Sequence, residues 1–109
     1  MQIPVQITFR GIAHSDALET AIRARAAKLE HFDERITRCR IVVEQLDRHK
    51  SQGRQFAVRI DLHVPDNEIA VTREHDEDVN VALRDAFDAA RRMLDDGIRT
   101  SRREAKARR

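Results

Sequence analysis

The chain is 109 residues long, 40% hydrophobic and 37% charged, with a single cysteine. That is enough for one domain with one modest core, burying roughly two-thirds of its unfolded surface. No apolar run approaches the roughly 20 residues of a membrane span, the N-terminal MQIPVQITFR lacks a basic-then-apolar export pattern, and a lone Cys39 excludes an internal disulfide, so a cytoplasmic protein is expected.

The net charge of +2 hides a division. From Arg99 to Arg109 the chain holds six basic residues and one acid, and without that stretch 15 basic face 18 acidic residues, a net of −3. A second basic stretch runs from Arg35 to Arg59, and an acidic one from Asp66 to Asp78. Segregation of this kind suits a polyanionic partner. Its arginines suit bidentate phosphate contacts, while a solvated, arginine-rich surface explains the same composition without one.

In chain order, Ile3, Val5, Ile7 and Phe9 alternate with polar residues as in a half-buried strand, with Pro4 marking strand entry or an edge. Gly11 to His14 turns the chain. Ser15 is a natural helix N-cap, with Asp16 and Glu19 loading the first turn. Leu18, Ile22, Ala26, Leu29 and Phe32 then form one apolar stripe. A second strand is expected from Ile36 to Leu46 and a hairpin loop over residues 47–54. Phe56, Val58, Ile60, Leu62 and Val64 alternate for a full third strand, followed by a Pro65-Asp66-Asn67 turn. Ile69 and Val71 belong to a shorter fourth strand, with REHDED read as a loop leading to a second helix. That helix buries Val79, Leu83, Ala86, Phe87, Ala90 and Leu94. Gly97 is a candidate stop, although Ile98 extends the stripe.

The order β-α-β-β-β-α is most economically satisfied by a two-layer α+β domain, a four-stranded mixed sheet with both helices on one face and the other face wet. Its architecture resembles double-stranded-RNA-binding domains with an added N-terminal unit. The expected division is a domain over residues 1–98 and a basic tail over 99–109, a tail whose composition suits an ordered helix and a disordered arm equally.

Nothing in the sequence assembles a catalytic site. The histidines His14, His31, His49, His63 and His75 form no zinc-binding HExxH pair. The glycines are isolated rather than gathered in a phosphate loop. Cys39 sits between Arg38 and Arg40, but in a strand those neighbours point to the opposite face, leaving a buried, inert thiol. With no tryptophan or tyrosine, base stacking on single strands is disfavoured. No enzyme activity, metal, cofactor or small-molecule substrate is expected.

The runs SDALETAIRARAAKLEHFDERITRCRIVVE, RQFAVRIDLHVPDNEIAV and EDVNVALRDAFDAARRML, over Ile3 to Leu94, resemble the ribosome hibernation promoting factor family, whose members include ribosome-associated inhibitor A and are also called sigma-54 modulation proteins. The more specific pieces are Lys28-Leu29-Glu30, Asp33 to Ile36 and Glu77-Asp78. The resemblance implies a non-enzymatic factor that docks on RNA of the small ribosomal subunit near the decoding channel and keeps idle ribosomes inactive, and nothing in the sequence demands more than a monomer. It carries the RNA-facing role to Arg25 and Lys28 on the first helix and Arg92 on the second. Arg84 and Arg91 are further basic candidates on the second helix, although Arg84, Asp88, Arg91 and Arg92 also stand at ion-pair spacings. Where the family commonly has lysines and a tyrosine on that helix, this chain has Ala89, Asp96 and Asn80. A protein-interaction or regulatory module of the same fold, without ribosome affinity, is the competing expectation. The C-terminal dimerisation domain of longer members and the cold-shock domain of some relatives are absent from this sequence.

Overall fold

The computed structural model describes residues 3–46, 55–65 and 69–107, with residues 69–71 and 97–107 described through their backbone. Six elements follow one another: β1 (Val5–Arg10), α1 (Asp16–Phe32), β2 (Arg38–Leu46), β3 (Gln55–His63), β4 (Ile69–Asp76) and α2 (Val79–Ala107). The strands lie in the order β1-β2-β3-β4. β1 runs parallel to β2, and the other two pairings are antiparallel. The parallel pair needs a crossover, and α1 provides it.

Strand parity separates two surfaces. The register aligns Ile7 with Ile41 and Ile41 with Ile60, and this layer faces the helices. Ile41, Val43, Val58, Ile60 and Leu62 are fully buried there. From above, α1 contributes Ile22, Ala26 and Leu29, and α2 contributes Ala82, Leu83, Ala86, Phe87, Ala90 and Leu94. Thr72 is the polar member of this interface. It is buried, and its hydroxyl donates to the Ala86 carbonyl at 3.1 Å, tying β4 to α2.

Local chemistry sets the element ends. Gly11 adopts φ +72°, a conformation that favours glycine, and a Cβ there would crowd the Gln45 carbonyl oxygen at 3.1 Å. Ser15 Oγ accepts the Leu18 N–H at 3.2 Å, capping α1. At the other end the buried Asp33 carboxylate accepts the Arg35 backbone N–H at 3.0 Å and a two-pronged guanidinium contact at 3.0 and 2.9 Å. These bonds, Arg35 side chain first, hold the Asp33 carboxyl below the usual carboxylate range. Asp78 opens α2 by accepting the Asn80 N–H at 2.8 Å.

Two expectations need correction. β2 begins at Arg38 rather than Ile36, because Asp33–Ile36 is still turning, with the Ile36 N–H on the Asp33 carbonyl. β4 continues through Arg73, Glu74, His75 and Asp76, where the sequence pattern predicts a loop. Those residues lack an apolar face of their own but are paired with β3 as far as Phe56–Asp76. Of the two endings the sequence leaves open for α2, the longer is found: it passes Gly97 without a break, and its backbone is helical to Ala107. The loop expected at residues 47–54, and Asp66 and Asn67 of the expected turn, lie outside the described residues. No helix among the described residues is long and apolar enough to cross a membrane.

Candidate nucleic-acid interface

Residues three and four apart share a side of a helix, so Arg25, Lys28 and Phe32 line one flank of α1. Arg84 and Arg91, seven apart, line one flank of α2. These flanks face each other, because the Arg91 guanidinium lies 4.5 Å from the centre of the Phe32 ring. Stacking of this kind holds a guanidinium in place without neutralising it. Lys28, Arg84 and Arg91 are exposed and Arg25 is half-buried. Four of the five candidate residues therefore border a single groove between the helices. Arg92, also exposed, lies one residue further around α2 and points away from it.

The ion pairs differ from those the spacing suggested. Arg84 reaches its immediate neighbour Asp85 at 3.3 Å, and among the described residues no ion pair joins Asp88 to Arg84, Arg91 or Arg92. Asp88 stands exposed on the solvent side of α2. The flank of α2 away from α1 carries Asp85, Ala89, Arg92 and Asp96, by their spacing of three and four. It is weaker in positive charge than the groove flank.

Cys39 is 1% exposed, and burial first, then the Asp61 charge, pushes its thiol up to about 12. The flanking Arg38 and Arg40 are exposed on the other face and do not activate it. Among the described residues no cluster of three or more His, Cys, Asp and Glu has metal-binding geometry. The open sheet face holds a shallow cavity of about 290 Å³, bordered by Arg10, Arg40, Arg59 and Arg73. The linear sequence showed a basic stretch here. What it hid was that alternate residues from four different strands come together, which needed the register.

Residues 5–97 match the family described as Sigma 54 modulation protein / S30EA ribosomal protein. The chain belongs to that family. No curated protein sequence matches it closely enough to add a relative. Among solved structures, it is similar to a ribosomal subunit interface protein from Coxiella burnetii, with a TM-score of 0.72 and 13% identity over 86% of this chain and 96% of that one. It is also similar to the N-terminal domain of Thermus thermophilus Protein Y, with a TM-score of 0.69 and 17% identity over the same shares. At these identities the likeness establishes the S30EA fold, in which the helix pair sits on one face of a mixed four-stranded sheet.

Proposed function

We propose that this chain is a non-enzymatic ribosome-associated factor that docks its helix groove on RNA of the small subunit near the decoding channel and keeps idle ribosomes inactive. The observation that carries the reading is the family match across residues 5–97. The groove supplies the chemistry. Arg25, Lys28, Arg84 and Arg91 project from two rigid helices, which suits recognition of folded RNA by its shape and phosphates. Arg92 extends the contact around α2, and the arginine-rich segment 99–109 adds long-range attraction. Cytoplasmic ribosomes are the setting that this role requires.

The test is co-sedimentation of the purified protein with separated small and large ribosomal subunits at low and moderate salt. Retention on small subunits at moderate salt is expected. Lys28→Glu combined with Arg92→Glu reverses two exposed charges that have no ion pair among the described residues, so binding should fall at least tenfold while the melting temperature stays within about 2 °C. Equal retention on both subunits, or affinity that survives the charge reversal, defeats helix-face docking. The second reading, an interaction module without ribosome affinity, is favoured by Asp85, Ala89 and Asp96 on the far flank of α2. It gains if a protein partner is recovered without ribosomal RNA.

A further inference from the structure

Neither helix covers the second face of the sheet. Strand parity places Arg10 of β1, Arg38 and Arg40 of β2, Arg59 of β3 and Arg73 of β4 on it, all of them exposed. Among the described side chains, this face answers five guanidinium groups with two carboxylates, Glu44 and Asp61. Asp61 is already engaged, since Arg59 Nε donates to it at 2.9 Å. Arg10, Arg40 and Arg73 form no ion pair among the described residues.

The register makes the arrangement costly for the free protein. Arg59 and Arg73 are directly opposite each other on β3 and β4, and like charges at opposed positions destabilise a sheet. Beside them Val42 and Ala57 floor the cavity of about 290 Å³, which Arg10, Arg40, Arg59 and Arg73 border together with Glu44 and Asp61. Four guanidinium groups outnumber the two carboxylates around small central side chains, and with Asp61 held by Arg59 an anion can approach several forks at once.

We propose that this open sheet face is a second phosphate-binding surface, which takes the backbone of an RNA segment on the side of the domain opposite the helix groove. RNA is the occupant favoured by charge and by the residues present. Sheets that read single-stranded bases do so with exposed aromatic rings, whereas Phe9, Phe32, Phe56 and Phe87 all lie on the helix side by parity and spacing. A face with five arginines, whose rings among the described side chains are the imidazoles of His63 and His75 alone, favours phosphates over bases. The domain is a slab with principal extents of 59 × 30 × 17 Å, so its two broad faces can engage different RNA segments. The proposal deepens the functional reading and rests on it for the identity of the RNA.

The decisive variant is Arg40→Gln with Arg73→Gln, which removes two charges that form no ion pair among the described residues and keeps polar, unbranched side chains in their place. Binding of the full chain is measured by anisotropy to a fluorescein-labelled RNA duplex and by sedimentation with small subunits, each across a salt series. The expected result is weaker binding by both measures, with the slope of log affinity against log salt reduced by about two, one for each lost phosphate contact. Because the Arg59–Arg73 repulsion is relieved, the melting temperature should hold or rise. An unchanged slope for both probes overturns the proposal, even if wild-type protein sediments with small subunits and the functional reading stands. If wild-type protein fails to sediment, the functional reading falls, and the duplex titration still decides the sheet face. Capture of poly-glutamate instead of the duplex, lost in the same variant, also overturns it and assigns the face to an acidic protein.

Discussion

At the residue scale, Asp33 carries an unusual share of the connection between α1 and β2. Its carboxylate is buried and receives three hydrogen bonds from Arg35, backbone and side chain together. Asp33→Asn keeps the shape but loses the charge and one prong of the fork, and is expected to cost about 1–2 kcal/mol, toward the low end for bonds to charged groups because Arg35 is partly exposed. The pH dependence has a definite sign. The folded-state pKa is depressed, so the stabilisation is fully present above the unfolded-state value of about 3.9 and is lost as pH falls through the folded-state value. Urea denaturation of both proteins should therefore show a constant gap above about pH 5 that narrows below about pH 4. A gap that widens in acid would contradict this account. The sequence displayed the Asp33–Ile36 segment as the close of a helix, but the fork between Asp33 and Arg35 depends on a turn geometry that spacing alone does not specify.

At the scale of elements, the joint between β4 and α2 combines packing with one buried hydrogen bond. Leu83 is 1% exposed, and Leu83→Ala should cost about 2–5 kcal/mol through lost burial and the cavity left behind. Thr72→Val removes only the hydroxyl that donates to Ala86, and about 0.5–1.5 kcal/mol is expected. Both losses should appear in guanidinium unfolding as a lower midpoint with unchanged slope. Most of this scale was legible beforehand. Alternation in β1 and β3, and the stripes Ile22–Ala26–Leu29 and Leu83–Ala86–Phe87–Ala90, reported the buried face directly, since burial is what those periods encode. The end of β4 was not legible, because Arg73 to Asp76 owe their strand conformation to pairing with β3 rather than to burial. The site divides the same way. Arg25 and Lys28 were neighbours by spacing, but the contact of Arg91 with Phe32 and the choice of Asp85 by Arg84 follow from how the helices and rotamers settle.

At the scale of the whole molecule, one group reports on the integrity of the entire packing. Cys39 lies in the layer between sheet and helices, with its thiol pushed up to about 12. At pH 8 that leaves about one thiol in ten thousand ionised, in addition to the steric block. Reaction with a disulfide reagent should run orders of magnitude slower than for a free thiol and reach the free rate in denaturant. Rapid labelling in native buffer would show that the helices separate readily from the sheet. The two broad surfaces have opposite organisation around this sealed layer, with cations arranged along helices on one side and across strands on the other.

The polar end of β4 has a consequence for how the molecule meets copies of itself. β4 is an outer strand, and an outer strand offers unsatisfied backbone groups on which another chain can add and begin an aggregate. From Arg73 to Asp76 every residue is charged or ionisable, alternating basic and acidic. An incoming strand would have to place its own side chains beside Arg73 and His75 on one face and Glu74 and Asp76 on the other, and an apolar strand would gain nothing there. The residues that disguised this segment as a loop are thus the ones that keep its exposed edge from serving as a template.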